Sequence, residues 1–315
     1  MKRISSLNTP PRPSNFQTGV NLRPNTTFKG YSIAEKIYSS ENSIIFQGFL
    51  GSRAVAIKIA TAPQSTNPHL NQEIIQEEKI LRDVADHPAF PEVIEAGVYE
   101  DRNYLITTFL FGQTLAKSID TYDFSLVIAI NVLEDALSAL DYLHNQAGVA
   151  HCDIKPENII YGDDGYISLL DLGIAQALKT KPNSYKLTPR YAAPEQFELQ
   201  QVGQRTDFYS LGLVFYEIIS GQPPHENILI NSPYETFLRS HKNNPPIINP
   251  KDFRDRYKRA PKKLQRKIRR LPTLLQTILS GMSAYSRKDR LQVQAIYDLI
   301  NQARPIAETL DNYEF

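Results

Sequence analysis

The chain has 315 residues, 41% of them hydrophobic and 22% charged, with a formal net charge of +1. That length suffices for one large domain or two lobes around a real core, and the near-neutral balance excludes wholesale binding to nucleic acid or a membrane surface. The single cysteine, Cys152, permits no internal disulfide, no apolar run is long enough to span a bilayer, and no apolar stretch follows Lys2 and Arg3. These features point to a reducing cytoplasm and to no transmembrane segment or secretory signal.

Residues 1–29 combine Pro, Ser, Asn and Thr with no acidic residue and read as a disordered, mildly basic leader. From Tyr31 to Ile59, short apolar runs (Ile44–Phe46, Ala54–Ile59) separated by Gly51-Ser52 predict strands of an antiparallel sheet. Residues 71–85 carry Ile74, Leu81 and Val84 at helical spacing and end before His87-Pro88. Two more strands are expected at Val93–Tyr99 and Tyr104–Phe109. Beyond Gly112 the pattern becomes mainly helical. A long helix is expected over 124–146, a hairpin around Asp163-Asp164-Gly165, and a buried helix over 206–220 closed by Gly221. Helices at 272–282 and 291–303 complete the chain. The expected class is α+β, a small antiparallel β lobe followed by a larger, mainly helical lobe.

Residues 151–158, His-Cys-Asp-Ile-Lys-Pro-Glu-Asn, hold the most chemistry. Asp153, Lys155 and Asn158 offer a carboxylate for an attacking hydroxyl, an ammonium for a transferred phosphate and an amide oxygen for Mg²⁺. The stretch resembles the catalytic loop of protein kinases, with Cys152 where most members carry Arg. Further segments match that family in its own order. They are Ala54-Val55-Ala56-Ile57-Lys58, Asp171-Leu172-Gly173, Thr188-Pro189-Arg190-Tyr191-Ala192-Ala193-Pro194-Glu195, and Asp207 within Thr206–Gly212. The resemblance runs over roughly residues 31–303.

The resemblance implies a two-lobed protein-kinase-like fold: a leader at 1–29 and a kinase domain at 30–315. Within the domain it implies an N-lobe at 30–107, a hinge at 108–112 and a C-lobe at 113–315 with a basic insertion at 243–270. It implies ATP and Mg²⁺, with Asn158 and Asp171 holding the metal and Lys58 positioning the α- and β-phosphates. Glu77 would pair with Lys58, Glu73 and Glu78 being alternatives. Ile45 and Ala56 would roof the adenine, Ile160 would floor it, the backbone of Thr108 and Leu110 would bond its edge, and Thr107 would be the gatekeeper. Arg290 would pair with Glu195, and Asp207 would anchor the catalytic loop. Lys155 and Thr188 match the serine/threonine class, so the implied substrate is a protein Ser or Thr.

Two departures shape the expectation. The glycines that usually cover the phosphates are replaced by Tyr38, Ser40 and Ser43, which favours a stiffer covering loop with weaker nucleotide affinity and supports a pseudokinase scaffold as the alternative. Cys152 removes the cation that would meet a phosphorylated activation loop, so activity is expected without such phosphorylation. Residues 251–270 hold eleven Lys or Arg against two Asp. This stretch is either a solvated helix or a docking surface for an acidic partner, and DNA is not expected. A small-molecule phosphotransferase is disfavoured by the Thr188–Glu195 segment. A lone catalytic domain with a short leader fits a bacterial kinase or an effector delivered into a host cell.

Overall fold

The structure is a computed structural model in which residues 22–121, 124–182, 185–229, 232–249 and 262–312 are described. Two compact units divide the chain. One comprises the residues up to Ile74 with Ile94–Thr107, and the other Ile75–Val93 with everything from Thr108 onward.

The first unit is a six-stranded sheet in the order β1-β2-β3-β4-β6-β5. Its strands are β1 (Thr27–Phe28), β2 (Tyr31–Ser39), β3 (Ser43–Leu50), β4 (Arg53–Ala60), β5 (Val93–Tyr99) and β6 (Arg102–Thr108). Alternation assigns the faces. Ile44 and Phe46 of β3 and Val55, Ile57 and Ile59 of β4 turn into a core with Phe28, Tyr31, Ile33, Tyr104 and Ile106. The intervening residues take the other face, and the register sets Ile45 opposite Lys58 and Gln47 opposite Ala56. Three residues of the anticipated nucleotide site, Ile45, Ala56 and Lys58, therefore share one sheet face. The leader expected over 1–29 lies outside the described residues as far as 21. Thr27–Phe28 within it form β1, paired with Tyr31–Ser32, and Phe28 is buried in the core.

Helix α1 (Pro68–Asp83) crosses the division between the units at Ile74/Ile75. The second unit continues with β7 (Gln113–Thr114), α2 (Leu115–Thr121), α3 (Leu126–Gln146) and β8 (Val149–Ala150). Next come β9 (Ile159–Tyr161), β10 (Ile167–Leu169), β11 (Gln176–Ala177), α4 (Pro194–Phe197), α5 (Gln204–Ser220), α6 (Tyr234–Asn243), α7 (Lys262–Met282) and α8 (Val293–Asp311). The Ser125 hydroxyl caps α3 by accepting from the Ile128 N–H at 3.2 Å, and the helix buries a continuous Leu/Ile/Ala stripe. Helix α5 stops at Gly221, whose φ of +67° places it in the left-handed region that ends helices cheaply. Gly112 has φ +130°, and a Cβ there would collide with the Tyr161 carbonyl oxygen, so the turn into β7 needs glycine.

The two last helices are longer than the sequence pattern suggests: α7 starts at Lys262 rather than 272 and α8 runs to Asp311 rather than 303. Pro272 and Pro305 lie inside them, where a proline usually marks a boundary. Of the basic insertion, 250–261 lies outside the described residues, and 262–270 forms the first turns of α7. Among the described residues no helix is long and apolar enough to cross a membrane.

Candidate active site

Residues 151–158 leave β8 and end in a single 3-10 turn, Pro156–Asn158, just before β9. Their backbone is held from below by Asp207 in the first turn of α5, which is fully buried. One Asp207 oxygen accepts from the His151 N–H at 2.8 Å and meets His144 Nε2 at 2.7 Å; the other accepts from the Cys152 N–H at 2.8 Å. Cys152 itself sits at φ +68°, an uncommon conformation for a residue with a Cβ. Its carbonyl accepts from Gln196 Nε2 at 2.8 Å, so both sides of this strained residue are tied down. Burial pushes the Cys152 thiol well above its usual range, and the neighbouring Asp207 charge adds to that, so the group is a packed thiol rather than a reactive thiolate.

Asp153 is the hub of the loop. Its Oδ1 accepts from the Thr188 hydroxyl at 2.6 Å, and its Oδ2 accepts from Lys155 Nζ at 2.6 Å and from Asn158 Nδ2 at 2.9 Å. Lys155 also donates to Thr188 Oγ1 at 3.0 Å, which closes a carboxylate–ammonium–hydroxyl triangle. Burial works against the Lys155 charge, but the Asp153 carboxylate outweighs it and the net shift is upward, so the ammonium stays charged. Asn158 spends Nδ2 on Asp153 twice, on the carboxylate and on the carbonyl, which turns its Oδ1 end away from that pair. His151, also fully buried, spans the loop: its Nδ1 accepts from the Asp153 N–H at 3.3 Å and its Nε2 bonds the Leu170 carbonyl at 2.9 Å. The Leu170 N–H donates to the Asn158 carbonyl at 2.9 Å. These bonds set the position of the next residue, Asp171, which is exposed at φ +60°.

The segment after Asp171 is fastened from α1, where Gln76 Nε2 donates to the carbonyls of Ala175 at 2.6 Å and Gly173 at 3.3 Å. Further along, Glu195 and Arg290 form a buried bidentate pair at 2.7 and 2.8 Å. The Thr206 hydroxyl adds a bond to Glu195 at 2.9 Å, and the guanidinium lies 4.5 Å from the Tyr209 ring centroid.

Asp153 thus gathers Lys155, Asn158 and Thr188 around one carboxylate, and Asp171 is tied to this loop through the Leu170 backbone. Glu77 is buried on α1, while Lys58, Ile45, Ala56 and Thr107 belong to the first unit, Thr107 at the end of β6. Ile160 and Leu110 are half-buried in the second unit. The Thr108 N–H is already bonded to the Glu92 carbonyl at 2.9 Å. Sequence reasoning missed Gln196, Gln76 and His144. Of these only Gln196 carries a signal, its place directly after Ala193-Pro194-Glu195. The glycine-free loop of the first unit proves to be a tight turn between β2 and β3. Ser40 Oγ accepts from the Asn42 N–H at 3.2 Å and the Ser43 N–H at 3.1 Å, and the Ser40 N–H donates to the Ser43 carbonyl at 2.9 Å. Tyr38, 57% exposed, precedes it.

Comparison with known families matches residues 31–299 to the protein kinase domain. The chain belongs to the protein kinase family. It is 34% identical over 184 residues, 55% of this chain and 29% of the relative, to the serine/threonine-protein kinase PknB of Mycolicibacterium smegmatis. With PknB of Mycobacterium tuberculosis (strain H37Rv) the identity is 32% over 183 residues, again 55% and 29% of the two chains. A probable serine/threonine-protein kinase PknB of Lactococcus lactis is 29% identical over 204 residues, 62% of this chain and 32% of that one. The matched region thus spans about a third or less of these relatives' own length. The two-unit α+β architecture is that of the family.

Proposed function

We propose that this chain is a serine/threonine protein kinase that uses ATP and Mg²⁺ to phosphorylate protein Ser and Thr hydroxyls. The observation that carries this reading is the Asp153–Lys155–Thr188 triangle, with Asn158 completing it. Asp153 would accept the hydroxyl hydrogen of the incoming Ser or Thr and aim its oxygen at the γ-phosphorus. The new O–P bond forms as the bond to the β–γ bridging oxygen breaks, and ADP leaves. Lys155 would offset charge on the phosphoryl group in flight. Thr188 bonds both side chains, which supports their acting together.

The donor set suits Mg²⁺. The Asn158 amide oxygen and the Asp171 carboxylate are two hard oxygen ligands, and this ion usually takes few protein ligands and leaves the rest to phosphates and water. When bound it would supply charge neutralisation at the β- and γ-oxygens. Lys58, with Glu77, would position the α- and β-phosphates. Ile45, Ala56 and Ile160 would pack on the adenine beside Thr107. The Thr108 carbonyl and the Leu110 N–H would meet its polar edge, since the Thr108 N–H is spent on Glu92. A cytoplasmic setting and an acidic partner at residues 251–270 belong to the same reading.

Transfer of labelled phosphate from ATP to a Ser/Thr protein substrate tests it. Wild type should be active, and Asp153→Asn and Lys58→Met should each lose about a hundredfold or more in kcat. Equal signal from wild type and both variants, or none from wild type, would overturn the assignment.

A further inference from the structure

Helix α7 carries its charge in an unusual way. None of its 21 residues is acidic, and its apolar positions Leu264, Ile268, Leu271, Leu274, Leu275 and Ile278 all turn inward. The outward face presents Lys262, Arg266, Lys267, Arg269 and Arg270, each exposed. Among the described residues none of the five is ion-paired. The neighbouring helix α8 orients two of them with neutral groups: Lys267 Nζ donates to Thr309 Oγ1 at 3.1 Å and Arg270 to Gln302 Oε1 at 3.4 Å. Those bonds fix the cations without discharging them. The chain as a whole has a net charge of only +1, so this concentration is local rather than a general excess.

We infer that the outward face of α7 is a docking surface for an extended acidic segment of a protein substrate. Lys262, Arg266 and Arg269 fall on one stripe at steps of four and three residues. The helical rise sets Lys262 and Arg266 about 6 Å apart along the axis. Alternate side chains of an extended peptide repeat at about 6.6 Å, so carboxylates two positions apart can meet Lys262 and Arg266, and the shorter step of about 4.5 Å to Arg269 is taken up by the length of its flexible side chain. A lipid surface fits less well, because no apolar side chain is left outward to enter it. Single-stranded nucleic acid fits less well, because α7 offers no aromatic ring for bases to stack on. The kinase reading enters only in calling the occupant a substrate.

The test measures fluorescence anisotropy of a labelled peptide alternating Glu and Ala, with the full chain and with the Lys262→Glu/Arg266→Glu/Arg269→Glu variant. All three positions are exposed, and unchanged far-UV circular dichroism and melting would show that the variant folds. Reversal should weaken peptide binding at least tenfold, and binding should fall as salt shortens the screening length. The same variant should raise KM for a Ser peptide carrying an acidic extension and leave kcat, and the KM of the unextended peptide, unchanged. Peptide affinity equal in wild type and variant would overturn the inference. So would tighter binding of phosphatidylserine vesicles or of a single-stranded oligonucleotide than of the peptide. If wild type transfers no phosphate, the kinase reading fails while the anisotropy result still decides the surface.

Discussion

Arg290 offers the sharpest test of how the helical unit is held together. A guanidinium has five N–H donors, and here all five are spent. Nε donates to the Ala284 carbonyl at 2.8 Å, and the two NH₂ groups reach Glu195 twice, the Arg205 carbonyl at 2.9 Å and the Tyr285 carbonyl at 3.2 Å. Arg290 is 2% exposed and Glu195 4%, so solvent screening does little to weaken the pair. Arg290→Met removes every donor and leaves a buried carboxylate with the Thr206 hydroxyl as its remaining hydrogen bond in this cluster. Breaking a buried ion pair from one side costs about 3–5 kcal/mol, and three carbonyls losing their donor push the value toward the upper end.

For a unit of this size that amounts to a drop of roughly 10 °C in Tm. Urea unfolding followed by circular dichroism should show it as a lower midpoint at an unchanged slope. Arg290→Lys keeps the charge but has three donors for five acceptors, so it should recover less than half of the loss. Replacing both partners, Arg290→Met with Glu195→Met, should cost less than the sum of the single changes, because no buried charge is then stranded. A loss below about 1 kcal/mol for Arg290→Met, or strict additivity in the cycle, would refute this account of the pair.

Four further outcomes follow from the same geometry. His225 and His241, with rings 4.2 Å apart, have pKa values lowered to about 4 and about 3. Burial is the main cause, with Arg190 acting on the first and His225 and Arg290 on the second. Both are neutral in the folded state while the unfolded chain protonates them below about 6.5. Stability should therefore be flat above that pH and fall by up to about 2.7 kcal/mol per unit between about 6.5 and 4, a slope that His241→Gln should roughly halve in urea titrations. Thr188→Ala should cut kcat about tenfold or more with little change in ATP KM, because it frees Asp153 and Lys155 from their shared hydroxyl; an unchanged kcat would contradict that role. Ser40→Ala should cost about 1 kcal/mol in stability yet lower ATP KM, since it releases two turn N–H groups that Ser40 now occupies; a higher KM would count against this. Phosphatase-treated protein should keep its activity, because Gln76 and Thr188 fasten the loop without phosphate; loss on treatment and recovery on phosphorylation of Thr180, Ser184, Tyr185 or Thr188 would reverse the expectation.

The parts of the site that were legible in the sequence are those whose partners are close in the chain or fixed by motif order. Asp153, Lys155 and Asn158 fall within six positions, so one turn suffices to bring them together, and Arg290 could be matched to Glu195 because the family orders both. Gln196 and Gln76 were not legible, since a lone amide has no periodicity and its partners are backbone carbonyls that only the folded chain presents. Strain at Cys152 was hidden for a related reason: no composition signals a positive φ at a residue with a side chain. Helix α7 was truncated in the sequence reading because Pro272 resembles a first-turn proline. In the structure the buried stripe runs through it, from Leu264 on one side to Leu279 on the other. Packing of that stripe outweighs one missing N–H bond.

Strain and packing meet at Cys152. A left-handed conformation costs such a residue about 1–2 kcal/mol, and it persists only where its surroundings over-determine it. Asp207 takes its N–H and Gln196 its carbonyl, and each of those residues is held in turn. Gln196 Oε1 accepts from the Ala193 N–H at 2.9 Å, and the preceding residue, Glu195, is locked by Arg290. The route from Arg290 to the peptide before Asp153 therefore passes through buried, directional bonds, and Thr188, at the start of the Thr188–Glu195 segment, closes it. The catalytic loop and the Thr188–Glu195 segment form one mechanical piece, so the Arg290 variants should lose kcat along with stability, whereas Ser40 variants in the other unit should change KM and not kcat. A kinase built this way can dispense with an arginine at position 152, because the peptide there is aimed by Asp207 and Gln196, neither of which needs a phosphate to take up its place.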